Sequence, residues 1–475
     1  MSKPRVLIPV SLQFSVRYLL RSGLVSRLRE NAQLVILLAW EDEELTREFE
    51  AEGCEVHPLH KAKWGTSYTH ARMFVNMWYE RRLASPSAAI RERRANLDRP
   101  FRDRMQKRID RFIRRASLDI PGFTARVRGQ EAELFLKDTN AAGAQAQIDS
   151  LRPDAVFSIT PFLLDDEMTV RLCALAGMPM LTAILSFDNL TTRSWMPVTF
   201  DRYLLWNRHN AQQLRRGYPE IDESRIGIVG SPQFDFYWRP EYVWPEDEWR
   251  QALGLPAGCP VILFGGGFYT CAPHEPQFLG HLDDAIERGE IPRDAVILFR
   301  RHPVDPIGRW KAVLDSARHV IYDDPWKLGP RVLGHTNVRH EDIAKLASTL
   351  YHCGVHVNVA SSMTVDGAIM DRPQVGPAYD ASPSRKYHRA AMECYLQEHY
   401  LPIYHSGGVA IARSRGELVA AVRSALENPA HAAEGRRSIV EEICTFSDGR
   451  SAERVAAQFA SFLARSSASL VPANS

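Results

Sequence analysis

Residues 5–59, RVLIPVSLQFSVRYLLRSGLVSRLRENAQLVILLAWEDEELTREFEAEGCEVHPL, decide the fold class. Val6-Leu7-Ile8-Pro9-Val10 is an apolar run of strand length. From about Val16 to Arg29, Leu19, Leu20, Leu24, Val25 and Leu28 then recur at helical spacing. A second run, Leu34 to Ala39, precedes an acidic helical stretch from about Glu41 to Glu52, and Val56 to Leu59 ends the series. This is βαβαβ, the pattern of a parallel sheet covered by helices.

The alternation continues outward. Strands are expected at Ala155–Ile159, Met180–Leu185, Tyr203–Trp206 and Ile226–Val229, then after a break at Pro260–Phe264, Ala295–Phe299, His319–Tyr322, Val355–Val359 and Val409–Ala412. Pro240 and Pro245 bracket aromatic and acidic residues between Phe236 and Glu246, which places the linker there. The expected fold is α/β, with two doubly wound Rossmann-like domains in series. Such domains bind ligands beyond the carboxyl ends of their strands, and two of them facing each other make a cleft.

Composition fits this reading. Of 475 residues, 24% are charged and 45% hydrophobic, which argues against disorder, collagen and coiled coil. Lys and Arg number 59 against 57 Asp and Glu, so no global field points to nucleic acid. Seven dispersed cysteines, with no CxxC pair, suit a reduced cytoplasm better than a disulfide framework. The amino-terminal apolar run is too short for a signal peptide, and no window has the length of a membrane span.

One segment breaks the rhythm. Arg81 to Arg115 carries thirteen Lys and Arg against four Asp and Glu. Its sparse apolar residues (Ile90, Leu97, Phe101, Met105, Ile109, Phe112, Ile113) fall at helical spacing from Phe101 onward. One reading is a solvated helical insertion with a thin packing stripe. The other is a surface for an anionic membrane or a polyanionic acceptor. No nucleic-acid reader motif accompanies the charge.

Four motifs are candidates for chemistry. Gly265-Gly266-Gly267 follows a strand, where glycines let backbone approach a ligand and offer N–H groups to an anion, or simply turn the chain. Arg300-Arg301-His302-Pro303 ends another strand and suits a phosphate, unless the arginines pair with Asp305, Asp323 or Asp324. Asn358 to Asp366 runs from strand end into helix start. There Ser361, Ser362 and Thr364 form a phosphate cradle or plain caps, and Asp366 is placed for a ribose hydroxyl. Ser186 to Thr192 places Asp188 as a general base toward an acceptor hydroxyl, or as part of an Asx turn with Asn189. Asp165, Asp166 and Glu167 read more simply as the acidic start of a helix.

These residues resemble bacterial surface-polysaccharide glycosyltransferases of the GT-B fold. The resemblance rests on Ser186 to Thr191, Asp201 to Asn207, Gly230 to Asp235, Arg300 to Pro303, Asn358 to Val375 and Asp448 to Ala456. It covers about residues 150–465 well, the first 60 in outline, and leaves out 81–115. The His-Pro and Ser-Ser turns are also similar to those of sialyl- and Kdo-type transferases and CDP-glycerol glycerophosphotransferases. The acidic pair that carries the base in those enzymes has no clean counterpart here.

The resemblance implies an acceptor domain at 1–238, with a basic helical insertion at about 81–125, and a donor domain at 239–446. A helix at 447–467 returns to the first domain, and 468–475 form a tail. It implies a glycosyltransferase that moves a sugar from a nucleotide-sugar to a glycan or lipid-linked acceptor in surface-polysaccharide synthesis. Alternatives are a CDP-alditol phosphotransferase, a transferase of CMP-activated acidic sugars, a sugar-nucleotide 2-epimerase and a non-catalytic nucleotide-sugar sensor. Gly265, Gly266, Gly267, Arg300, Arg301, His302, Ser361, Ser362, Thr364 and Asp366 would bind the donor. Asp188 and His302 would be catalytic, with Gln13, Ser15, Asn189 and Thr191 on the acceptor side. No metal or cofactor is expected, and the donor's base is uracil or cytosine. The expected place is the cytoplasm, with peripheral attachment to the inner face of the membrane as one reading of the basic segment.

Overall fold

A computed structural model describes residues 3–96, 99–193, 195–269, 272–325, 338–380 and 390–470. The chain divides into two compact units. Met1–Ala88, Asp98–Gln233 and Arg450–Ser475 form the first, and Ala89–Leu97 with Phe234–Gly449 form the second.

The first unit holds β1 (Arg5–Val10), β2 (Gln33–Leu38), β3 (Glu55–Pro58), β4 (Ala155–Ser158), β5 (Met180–Ala183), β6 (Arg202–Leu205) and β7 (Ile226–Ile228). All neighbours are parallel, in the order β3-β2-β1-β4-β5-β6-β7. Strand alternation sorts the apolar runs onto two faces. Val6, Ile8 and Val10 join Leu34, Ile36 and Phe157 on one face, where Val455 and Phe459 of the Ser451–Leu470 helix cover them. Leu7, Val35, Leu37 and Val156 meet Met168 and Leu172 of the Leu164–Leu175 helix on the other. Burial on both faces is why these strands read as continuous apolar runs, each such side chain contributing about 1.5–3 kcal/mol.

The second unit repeats the plan with β8 (Val261–Gly265), β9 (Val296–Arg300), β10 (Val320–Asp323), β11 (Val355–Asn358), β12 (Gln374–Pro377) and β13 (Val409–Ala412). Their order is β10-β9-β8-β11-β12-β13, again with every pair parallel. The two sheets therefore share one topology, and the strand order reverses at β1/β4 and at β8/β11.

Two sequence expectations need correction. The five strands read in the second half are six, because β12 was hidden: Gln374, Gly376 and Pro377 leave Val375 as its one aliphatic side chain. The single helix read from Val16 to Arg29 is broken. Helical turns at Gln13–Val16 and Arg17–Arg21, the latter with π-type winding, stop at Gly23, whose φ of +74° suits glycine, and Leu24–Leu28 follows. The basic segment is helical, spanning the end of Thr66–Leu83, then Pro86–Ala95 and most of Phe101–Ser117. Among the described residues no helix is long and apolar enough to cross a membrane.

Candidate functional site

The carboxyl ends of β8, β9 and β11 gather the residues expected on the donor side at the switch point of the second sheet, where doubly wound folds bind ligands. Gly265 ends β8, and a Cβ there would come within 3.0 Å of His356 Nε2. At Gly266 a Cβ would lie 3.0 Å from both the Phe299 and Trp310 rings. A side chain at Gly265 or Gly266 would therefore need these neighbours to shift, whereas at Gly267 the nearest atoms, those of the Glu275 carboxylate, are 3.4 Å away. The glycine amides are also engaged: Gly266 N donates to Arg300 O at 2.9 Å, and Gly267 N to both Glu275 carboxylate oxygens at 2.9 and 3.0 Å. Thr270 and Cys271, beyond this turn, lie outside the described residues.

Glu275 is wholly buried and belongs to a clamp that sequence reading missed. Arg309 reaches it at 3.0 Å, Asp305 Oδ2 at 2.8 Å, Gly267 O at 3.1 Å and Ala272 O at 2.6 Å. Trp310 Nε1 donates to Asp305 Oδ2 at 2.7 Å, and Tyr269 N to Oδ1 at 2.9 Å. The glycine turn and the Arg-Arg-His-Pro turn are thereby locked together. The available signal was the i,i+4 spacing of Asp305 and Arg309; Glu275 had none.

The two arginines of that turn are paired within the fold. Parallel register sets Asp323 of β10 opposite Arg300 of β9. The buried Arg300 meets Asp323 Oδ2 at 2.6 Å and Pro325 O at 2.8 Å. Arg301 donates to the carbonyls of His302, Pro303 and Asp305, to the Tyr322 hydroxyl, and to Asp324 Oδ1 at 3.3 Å. His302 differs. Burial, opposed by Asp305 and reinforced by Arg301, pushes its pKa down to about 4, so the ring is neutral at pH 7. Nδ1 accepts from Val304 N at 3.3 Å, which assigns the proton to Nε2, and among the described residues Nε2 has no partner. This is a neutral N–H donor held ready.

The third segment also divides. Thr364 is buried and bonds Asn358 Oδ1 at 3.0 Å and the Tyr400 hydroxyl at 2.8 Å. The chain of contacts runs on from Asn358 to His356 at 3.3 Å and from His356 to Gln374 at 2.9 Å. Asp366 is buried too and accepts from the Tyr237 hydroxyl at 2.7 Å. Helix Met363–Ile369 turns these side chains inward. Ser361 Oγ accepts from Met363 N at 3.2 Å, whereas the exposed Ser362 makes no side-chain cap. Ala360, just before them, has φ of +35°, a strained value for alanine.

In the first unit, Asp188 sits in a net of local donors. Ser186 Oγ and Asn189 Nδ2 donate to Oδ1, and Thr192 Oγ1 donates to Oδ2 at 2.7 Å. Thr191 Oγ1 donates to Asp188 O at 3.0 Å, and Asn189 Oδ1 accepts from Ser186 N at 3.2 Å. Gln13 and Ser15 are buried after β1, two strands from this turn, and among the described residues the Ser15 hydroxyl has no partner.

The acidic trio that read as a helix start has three fates. Asp165 is exposed. Glu167 is buried against Arg72 at 2.7 Å, with Tyr68 and Arg171 beside it and Glu131 beyond. Asp166 is wholly buried at the β1/β4 switch point, and burial raises its pKa to about 7. Thr160 donates to its Oδ2, and Ser11 with Thr160 opposes the rise; among the described residues Oδ1, Ser11 Oγ and Ser158 Oγ have no partner in hydrogen-bond geometry. A cavity of about 550 Å³ lies elsewhere in this unit, between Trp40, Thr46, Arg47 and His57, and takes in none of the residues singled out from sequence.

Two parallel sheets that share one strand order over six strands, the first adding β7 at its edge, define the GT-B-like architecture. Solved structures of the same fold span nearly the whole chain. One is a Listeria monocytogenes protein assigned as a UDP-N-acetylglucosamine 2-epimerase (12% identity, 98% of each chain, TM-score 0.55). Another is the Neisseria meningitidis UDP-GlcNAc 2-epimerase bound to UDP-GlcNAc (9% identity, 96% of this chain and 99% of that one, TM-score 0.52). A third is CalG4, the calicheamicin glycosyltransferase (14% identity, 99% and 100%, TM-score 0.50). At such identities the likeness concerns fold. No protein-family model and no curated sequence matches the chain.

Proposed function

We propose that the protein is a nucleotide-sugar-dependent glycosyltransferase, with the donor held by the second unit and an acceptor hydroxyl, on a glycan or a lipid-linked sugar, served by the first. The observation that carries this reading is His302, a neutral imidazole whose Nε2–H has no partner among the described residues, at the carboxyl end of β9 beside the reversal of strand order. Donors of this kind stabilise the charge that develops on a departing phosphate oxygen. The Ser361 and Ser362 hydroxyls, next to the strained Ala360, add further polar groups. Arg300 and Arg301, paired with Asp323 and Asp324, hold the shape of this turn and do not contact the donor directly. In the transfer the bond from the anomeric carbon to phosphate breaks and one to the acceptor oxygen forms. Asp188 takes the acceptor's proton, after the hydroxyl displaces one of its side-chain donors, Ser186, Asn189 or Thr192. The donor is a uridine or cytidine nucleotide, bound without metal, and the product is a surface polysaccharide.

A second reading, a sugar-nucleotide 2-epimerase, is compatible with the same fold, since two of the structures above carry that description. Incubation with donor alone separates the two. An epimerase changes the configuration of the sugar with no acceptor present, and a transferase does not. Calorimetry with UDP, CDP and CMP in the presence of a chelator tests donor binding, and binding that needs magnesium or manganese would overturn the metal-free proposal. His302→Ala should lower turnover about 10²–10³-fold with an unchanged melting temperature. A near wild-type rate would remove His302 from the mechanism.

A further inference from the structure

The helix Phe101–Ser117 is amphipathic with its polarity inverted. On a helix of 3.6 residues per turn, Phe101, Met105, Ile109, Phe112 and Ile113 fall within an arc of about 120°. A surface helix ordinarily buries such an arc against the core. Here the helix has no buried residue, and Phe101, Phe112, Ile113 and Ile109 are 70%, 74%, 57% and 54% exposed. What rests on the unit is the opposite, polar side. Arg111 pairs with Glu80 at 3.4 Å, and Arg114 approaches Met73 Sδ at 3.4 Å and covers the Phe74 ring at 5.6 Å, all on helix Thr66–Leu83. The thin packing stripe expected from sequence exists, but it points outward.

The charges complete the picture. The helix carries seven Lys and Arg against two Asp. Arg102, Arg104, Lys107, Arg108 and Arg115 form no ion pair among the described residues. Arg104, Arg108 and Arg115 border one edge of the arc, and Arg102 stands within it. A polyanion in solution would use the cations and leave five large apolar side chains in water. A second copy of this basic helix would use the apolar arc and bring like charges together. An anionic bilayer satisfies both features, since the apolar arc enters the acyl boundary while the guanidiniums stay at the headgroups.

We propose that this helix docks the protein on anionic membrane surfaces, lying in the plane of the interface with Phe101, Ile109, Phe112 and Ile113 inserted. The inference stands apart from the nucleotide-sugar reading, and its test needs no substrate. The full chain is sedimented with vesicles of phosphatidylcholine, alone or mixed with phosphatidylglycerol, at about 0.1 M and about 1 M salt, where the screening length falls from about 10 Å to about 3 Å. Binding is expected to the anionic vesicles, to weaken with salt without vanishing, and to fall at least tenfold in Phe101→Ser/Phe112→Ser/Ile113→Ser. Arg104→Gln/Arg108→Gln/Arg115→Gln should instead lose the preference for anionic lipid. Phe112→Trp gives an independent readout, with emission shifting to the blue on contact with these vesicles. The proposal is overturned by equal binding to both lipids or by none. It is also overturned if the serine variant changes the mass of the lipid-free protein, which would assign the arc to self-association. Binding to heparin that the serine variant retains in full, without vesicle binding, would overturn it in favour of a soluble polyanion.

Discussion

The two sheets share a strand order, yet the polar groups at their switch points are in opposite conditions. At β8/β11 most charged groups are matched, Gly267 with Glu275, Arg309 with Asp305, Arg300 with Asp323, and Asn358 with Thr364, and among the described residues the atoms left over there include Arg309 Nε and Gln374 Nε2. The neutral Nε2–H of His302 stands out because most charged groups around it are matched. At β1/β4, among the described residues, the hydroxyls of Ser15 and Ser158 and one oxygen of Asp166 are buried without a hydrogen-bond partner, and Ser11 acts on Asp166 outside hydrogen-bond geometry. Burying a polar group without a hydrogen bond costs about 1–3 kcal/mol, so a fold keeps such groups where something else answers them. One topology thus carries an end dense in buried ion pairs and an end whose buried carboxylate, Asp166, has no cation among the described residues. Substitutions at the two ends should behave differently.

The largest effect is expected at the matched end. Arg309→Met keeps the stem over Trp310 but leaves Glu275 and Asp305, both wholly buried, without their cation. Breaking a buried pair by removing one partner costs about 3–5 kcal/mol. The exposed pair Lys311–Asp315 is the control, and Lys311→Met should cost about 0.5 kcal/mol or less. Denaturant unfolding of both variants measures the gap. If Arg309→Met unfolds at the wild-type midpoint, the matched network is not what holds the turns together.

At the unmatched end the expected signature is in pH. Asp166 has a folded pKa of about 7 against an ordinary carboxylate value near 3.8. Its raised value means that the unfolded chain ionises first, so its contribution to stability falls as pH rises from about 4 through about 7 and is level above that. His302 and His356 act in the opposite sense. Burial lowers both to about 4, so each adds stability as pH rises from about 4 through about 6.5. The wild-type profile mixes these trends, and the difference between wild type and Asp166→Asn isolates one. Asn keeps an acceptor for Thr160, so the variant should match wild type near pH 4 and be more stable at pH 8, by a few kcal/mol at most. Parallel melting curves across that range would mean that Asp166 ionises inside the fold without penalty.

The same contrast explains what sequence could and could not reveal. Strands buried on both faces announce themselves, as in Val6–Val10 or Val261–Phe264, whereas β12 was lost because three of its four residues are Gln, Gly and Pro. Ligand-facing and fold-facing arginines look alike in sequence. Arg300 is committed to the fold by a carboxylate that the neighbouring strand sets opposite it, and that register is a property of the sheet. Thr364 and Asp366 suggested a cradle because they follow a strand, and the helix rotation that buries them appears only with coordinates. The fate of Asp166 likewise depends on Thr160 and Ser11 arriving from β4 and β1. In the basic segment the periodicity was legible and its direction was not, because spacing defines a face without saying what the face meets.

The smallest expected effect separates two adjacent hydroxyls. Ser361 Oγ accepts from Met363 N at 3.2 Å, so Ser361→Ala removes a capping interaction worth about 1 kcal/mol. Ser362 is the N-cap residue by position, but its exposed hydroxyl makes no cap, so Ser362→Ala should leave stability within about 0.5 kcal/mol of wild type. Any loss of nucleotide affinity in Ser362→Ala therefore reports a ligand contact and not a weakened helix. Melting temperature without ligand and nucleotide dissociation constant, measured side by side, decide the matter. Affinity lost in both variants with stability lost in one places the donor's phosphates at this turn. Unchanged affinity in both removes the serines from the site and leaves His302 as its main donor.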